Sequence, residues 1–185
     1  MRPALILIDI QQGFDAPHWG ARNNLEAEAN AARLLAAWRG AAAPIFHIRH
    51  LSTTPGSPLS GAGAAFKPQA APLPGEVVIP KSVNSAFIGT DLEARLRGAG
   101  IVDLVICGLT TPHCVSTTCR MAANLGFAVI LAEDACAAFS SNADMGWRPG
   151  APAPDPQAIH DFAIAHLHGE FATARSTDAI LADAP

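Results

Sequence analysis

A carboxylate, an ammonium and a thiol each fall at or just beyond the end of an apolar run, and together they could open a carbonyl compound. Asp9 ends Leu5-Ile-Leu-Ile8, and Lys81 follows Val77-Val-Ile-Pro80. Cys114 sits in Gly108-Leu-Thr-Thr-Pro-His-Cys-Val115, directly after Val102-Asp-Leu-Val-Ile-Cys-Gly108. The carboxylate can take the thiol proton, the ammonium can stabilise the anions so formed, and the thiolate can attack a carbonyl carbon. Each residue alone has a plainer reading: a turn-capping Asp, a solvated Lys, a small buried Cys. Ionised groups at the ends of apolar strands are costly unless paired, which favours reading the three as one set. Pro112 suits a first helical position and Thr111 can cap it, which makes Cys114 the third residue of an expected helix. Unpaired N–H groups and the helix dipole there are expected to lower the thiol's pKa.

Such a set needs strands that end on one edge, and the hydrophobic pattern supplies them. Apolar runs of strand length alternate with helical patterns, the signature of βαβ units and a parallel sheet. Strands are expected at 4–9, 44–48, 77–80, 102–108, 127–132 and 171–174. Helices are expected at 24–39, stopped by Gly40, then at 90–97, 112–125, 155–168 and near 177–181. Thr90 with Glu93 reads as a capping box. The expected fold is α/β, a three-layer α/β/α sandwich around a six-stranded, mainly parallel sheet.

The 185 residues, half of them hydrophobic, suffice for one domain with a substantial core, spanning 1–185. A net charge of −4 with twelve scattered Lys and Arg argues against nucleic acid and anionic membranes as partners. Apolar runs are too short to span a bilayer, and the chain enters a strand pattern at once without a signal-peptide order, so a cytoplasmic protein is expected. The four cysteines, Cys107, Cys114, Cys119 and Cys136, show no metal-finger spacing and are expected to be free thiols. Residues 52–75, with five prolines and four glycines, and residues 140–156 are irregular. Segments of that length are usually binding loops, lids or subunit contacts. Phe66 is a packing anchor for the first.

Asp9-Ile-Gln11 with Phe14, Lys81-Ser-Val-Asn-Ser-Ala-Phe87 and Gly108-Leu-Thr-Thr-Pro-His-Cys-Val-Ser-Thr-Thr118 resemble the three signatures of the isochorismatase-like cysteine hydrolases. That superfamily includes nicotinamidases, N-carbamoylsarcosine amidases and ureidoacrylate amidases. The resemblance runs the length of the chain and implies an Asp9–Lys81–Cys114 catalytic triad. Cys114 would form a thioester with an amide-like substrate, Asp9 would shuttle the protons, and Lys81 would hold the carboxylate. A non-proline cis peptide at Leu109–Thr110 is implied, with the N–H groups of Thr110 and Cys114 as the oxyanion hole and Gln11 behind the triad. A small-molecule substrate and a homodimer or larger homo-oligomer are also implied.

Departures from the family pattern narrow the chemistry. Isochorismatases proper lack the cysteine nucleophile, so Cys114 argues against vinyl-ether hydrolysis. Nicotinamidases carry an Asp-x-His pair and further histidines for a metal, whereas this chain has His47-Ile-Arg-His50 with neither the Asp nor a third His nearby. Residues three apart in an extended chain face opposite sides, so His47 and His50 do not chelate together. No metal and no cofactor are expected. Candidate pocket residues are Gln11, Phe14, Trp19, His50, Asn84, Phe87, His113 and Phe139, with Phe87 and Phe139 equally readable as core. His113 diverges from Cys114 by about a hundred degrees on a helix, against a Cys–His dyad. His160, His166 and His168 are expected on a late helix, the last two as surface or interface.

Two readings compete with a C–N hydrolase. A thiol redox sensor using Cys114 needs a resolving cysteine, and only Cys119 is near in sequence. A non-amide substrate on the same scaffold is the other. A nucleotide-binding module fails for want of a phosphate-cradling glycine motif after a strand.

Overall fold

Six segments assemble into one sheet in the order β3-β2-β1-β4-β5-β6, with every pair parallel. In the computed structural model, which describes residues 2–183, these are β1 (Ala4–Ile8), β2 (Ile45–His50), β3 (Val77–Lys81), β4 (Asp103–Leu109), β5 (Ala128–Ala137) and β6 (Thr173–Arg175). Met1, Ala184 and Pro185, which the 1–185 domain reading includes, lie outside the described residues. Helices α1 (Ala27–Gly40), α2 (Leu92–Gly98), α3 (Ser116–Asn124), α4 (Pro156–Ala165) and α5 (Thr177–Ala182) alternate with the strands. α1 and α5 pack together against β5, while α3 packs on β5 as well and α4 packs on the turn that precedes α3. The result is the expected α/β sandwich. No helix among the described residues is long and apolar enough to cross a membrane.

β1 reads as an unbroken apolar run because it lies between β2 and β4 and is buried along its whole length. The strand order reverses between β1 and β4, since β2 lies to one side of β1 and β4 to the other. In open α/β sheets the crevice beyond the strand ends at such a switch point is where ligands bind. Asp9 follows β1 and Cys114 follows β4, so the topology sets both at that crevice.

Several boundaries differ from the pattern-based expectation, each for a local reason. α1 begins at Ala27 because Asn24 adopts φ 44° and its amide donates to the carbonyls of Asp134 and Cys136, at 2.8 and 2.6 Å. β5 continues to Ala137 through an irregularity: β4 advances from Ile106 to Gly108 while β5 advances from Leu131 to Cys136. The extra residues set the Asp134 carboxylate against the N–H and hydroxyl of Thr177, both at 2.7 Å, which anchors α5. The Thr90–Glu93 capping box does not form. Thr90 Oγ1 donates instead to the Ala86 carbonyl, and Glu93 pairs with Arg97 along the helix.

Gly108 is where two strands touch most closely. It holds φ 127°, and a Cβ there would lie 2.0 Å from the Ile8 carbonyl oxygen. Any side chain would push β4 from β1 just before the two residues that must converge. Gly108→Ala should therefore destabilise the fold by about 3 kcal/mol or more and lower activity, as checked by urea unfolding with a parallel assay.

A buried polar cluster ties α1 to β2 and β3. Arg39 makes a two-pronged pair with Glu76 at 2.7 and 2.8 Å, and the fully buried His47 bonds the same carboxylate at 2.8 Å. The bond from Arg39 holds Glu76 down at about 2, against a usual 4.5. A depressed carboxylate contributes stability that is complete above its unfolded value and disappears as pH falls through its folded value. That contribution should fade between pH 4.5 and about 2. Glu76→Gln should flatten this part of the stability–pH curve, measured as urea midpoints across that range.

Candidate active site

Three strand ends deliver the carboxylate, the ammonium and the thiol. Asp9 has φ 51°, a left-handed conformation that Asp tolerates better than most residues, and it turns the chain out of β1. Lys81 is the last residue of β3, beside His50 at the end of β2. Cys114 lies in a π-helical turn, Thr111–Val115, that precedes α3, and the Leu109–Thr110 peptide before it is cis. The expected regular helix from Pro112 with a Thr111 cap is therefore not formed. The Val115 N–H reaches back to the Thr110 carbonyl at 3.2 Å, and the Thr111 hydroxyl bonds Nδ1 of His160 at 2.9 Å.

Lys81 Nζ stands at the centre of the group. It donates to Asp9 Oδ2 at 2.5 Å, to the Val83 carbonyl at 3.1 Å and to Cys114 Sγ at 3.3 Å, and lies 3.2 Å from His50 Nδ1. The side chains of Asp9 and Lys81 are both sealed from solvent. A fully buried pair of this kind persists only with close charge pairing and further hydrogen bonds, and both are present. Asp9 Oδ1 is buried without a hydrogen-bond partner among the described residues. The thiol faces Asn84 Oδ1 at 3.8 Å, and Asn84 is exposed, so the group opens to solvent on that side.

The charge state differs from the expectation drawn from the helix start. Burial, reinforced by the Asp9 charge, pushes the Cys114 thiol up to about 12 rather than lowering it. Burial also raises the Asp9 carboxyl, against the pull of Lys81. Burial thus works against the thiolate and the carboxylate alike, while Lys81 favours both.

Asp9, His50 and Cys114 could each offer a metal a ligand atom, all within 4.8 Å of one another. The Lys81 ammonium is in contact with all three, so the cation of this donor set is the protein's own. His47 takes no part, being held by Glu76.

The other candidate residues divide clearly. Gln11, fully buried, grips the His50 backbone from both sides: its Nε2 donates to the His50 carbonyl at 2.9 Å, and its Oε1 accepts the His50 N–H at 2.7 Å. Phe14, Trp19 and Phe139 form an aromatic cluster with ring centroids 4.8–5.9 Å apart. This cluster packs with Leu59 and with Leu109, the residue before the cis peptide, and so buttresses the turn that carries Cys114. Phe87, readable equally as pocket or core, takes the core place: its ring stacks 5.8 Å from that of Phe127, beside the opposite end of β5. His113 is exposed. The remaining thiols, Cys107, Cys119 and Cys136, are fully buried, and burial pushes each well above the ordinary thiol range.

Two features escaped the sequence reading. His160 is buried against the turn that carries Cys114, where a helix-surface position was equally compatible with its spacing. Lys67, also buried, pairs with Asp15 at 2.6 Å and Glu28 at 2.8 Å, and Arg22 grips the same Glu28 while lying over the Phe139 ring. That network ties residues 52–75 to α1 and to the aromatic cluster. Its partners lie 39 and 52 residues from Lys67, so no local pattern could announce it.

A parallel six-stranded sheet with ionisable groups gathered at its switch point is the plan of an α/β enzyme. Comparison with known proteins makes the class specific. Residues 3–179 match the isochorismatase domain. The chain is 44% identical to the isochorismatase family protein YrdC of Bacillus subtilis, over 98% of this chain and 96% of that one. A crystal structure from Chromobacterium violaceum, assigned to the hydrolases of that family, superposes with a TM-score of 0.92 at 46% identity, covering 98% of this chain and 92% of the other. A stretch of 71 residues is 42% identical to the ureidoacrylate amidohydrolase RutB of Azorhizobium caulinodans, spanning 38% of this chain and 31% of RutB. The chain belongs to the isochorismatase family of hydrolases.

Proposed function

We propose that this hydrolase cleaves a C–N bond in a small amide, ureido or carbamoyl compound, through a thioester on Cys114. The observation that carries the reading is the sealed Asp9–Lys81 pair in contact with the thiol, with one Asp9 oxygen left free. In the first half-reaction Asp9 Oδ1 takes the thiol proton as Sγ bonds to the carbonyl carbon. The C–N bond then breaks, and the leaving nitrogen takes the proton back from Asp9. In the second half-reaction Asp9 removes a proton from water, the hydroxide adds to the thioester, and the acid leaves as the thiol is reprotonated. Lys81 offsets the negative charge on sulfur and carboxylate throughout. The N–H groups of Thr110 and Cys114 are proposed as donors to the tetrahedral oxygen, each worth about 3 kcal/mol in the transition state.

Support for nitrogen as the leaving atom comes from the stretch shared with an amidohydrolase and from the thiol itself, which suits acyl transfer. The redox alternative lacks a reachable partner: Cys119 is fully buried with its thiol pushed up to about 12. A panel of small primary amides, ureides and carbamoyl compounds, read by ammonia or amine release, tests the reading. Release by the wild type and none by Cys114→Ala is expected. Equal release by both would refute it.

A further inference from the structure

We propose that His50 positions the substrate: it presents a fixed, uncharged N–H donor beside the thiol and selects carbonyl compounds that carry a second oxygen acceptor near the reacting carbon. The inference rests on Cys114 as nucleophile and adds what the substrate must contain. Two clamps fix the residue. Gln11 bonds both the N–H and the carbonyl of His50, so its backbone cannot swing. Lys81 Nζ, 3.2 Å from Nδ1, fixes the ring. The three protons of Lys81 are directed to Asp9, Val83 and Cys114, and an ammonium has no lone pair to receive an N–H, so Nδ1 at 3.2 Å is the unprotonated nitrogen and a neutral imidazole carries its single proton on Nε2.

The ring stays neutral across the working range, because burial and the neighbouring Lys81 charge push its pKa down to about 4. Its Nε2 finds no acceptor among the described residues and is not sealed in the interior, so this donor is left for something that enters the site. A ring nitrogen of His50 lies within 4.8 Å of Cys114 Sγ and of an Asp9 oxygen. Nε2 sits across the same small ring, within reach of an acceptor three or four bonds from the carbon that sulfur attacks, such as the second carbonyl of a ureide or the carboxylate of a carbamoyl acid. A single uncharged donor favours such an oxygen over a bare alkyl group without demanding an anion.

The test uses alkylation of Cys114, quantified by peptide mass spectrometry, which reads thiol chemistry without knowledge of the substrate. Iodoacetamide places a carbonyl oxygen two bonds from the reacting carbon, and methyl iodide has no acceptor. His50→Asn keeps an oxygen where Nδ1 faces Lys81 but loses the distal donor. His50→Gln can return an N–H to the Nε2 position. The iodoacetamide-to-methyl iodide rate ratio should fall about three- to tenfold in His50→Asn and stay within about twofold of wild type in His50→Gln. A purely structural role would slow both reagents together and leave the ratio unchanged in His50→Asn, which overturns the proposal. An equal fall in both variants also overturns it. Absence of labelling at Cys114 in the wild type would overturn the nucleophile reading as well, so the two failures are distinguishable.

Discussion

Cys114→Ala should lose hydrolysis by at least a factor of about a thousand while keeping its fold. A covalent nucleophile has no substitute in the site, and the residual rate is whatever binding and oxyanion donors supply alone. The variant removes one sulfur from contact with Lys81 but leaves the ammonium paired with Asp9 and bonded to the Val83 carbonyl. Its unfolding midpoint should therefore stay close to the wild type. Turnover at the wild-type rate would show that the thiol is a packed core group and that the reaction runs elsewhere.

Asp9→Asn should act on turnover and stability together. Loss of the base should cost about 10²- to 10⁴-fold in rate. The substitution also leaves the sealed Lys81 ammonium with no counter-charge, a penalty of about 3–5 kcal/mol. Removing the partner charge as well, in Asp9→Asn/Lys81→Met, should restore most of the stability and none of the activity. Urea unfolding and a rate assay on the same preparations separate the two effects. If the double variant were no more stable than the single one, the pair would not be the site of the loss. The wild type should carry a related signature: because burial raises the Asp9 carboxyl above its usual 3.8, the acid limb of kcat/KM should lie above that value. Activity is then lost as pH falls through the raised value, since only the carboxylate can accept the thiol proton.

Strand ends were the most legible part of this chain. Asp9, Lys81 and Cys114 each follow a short apolar run, and once those runs form a parallel sheet their ends share an edge. The crossing of strand order between β1 and β4 could not be read from the runs themselves, yet it gives Asp9 and Cys114 a common crevice. Local chemistry misled in three places where a partner other than the expected one took the bond. The Thr111 hydroxyl bonds His160, Thr90 bonds back to Ala86, and Asn24 leaves the helix start for β5. The thiol's charge state was misjudged for the same reason, because a helix start lowers a pKa only if burial does not raise it more. The amide clamp of Gln11 on His50 and the Lys67 network depend on pairings between segments dozens of residues apart. Residue type alone carries no sign of them.

The central claim is that Cys114 carries the acyl group, and its most direct test is capture of that intermediate. Wild-type enzyme turning over the best substrate of the amide and ureide panel should be acid-quenched within the first turnovers and examined by intact-protein and peptide mass spectrometry. The expected result is an acyl mass increment on the peptide containing Cys114, removed by hydroxylamine and absent from Cys114→Ala. Steady turnover with no adduct, together with an active Cys114→Ala, would contradict the mechanism.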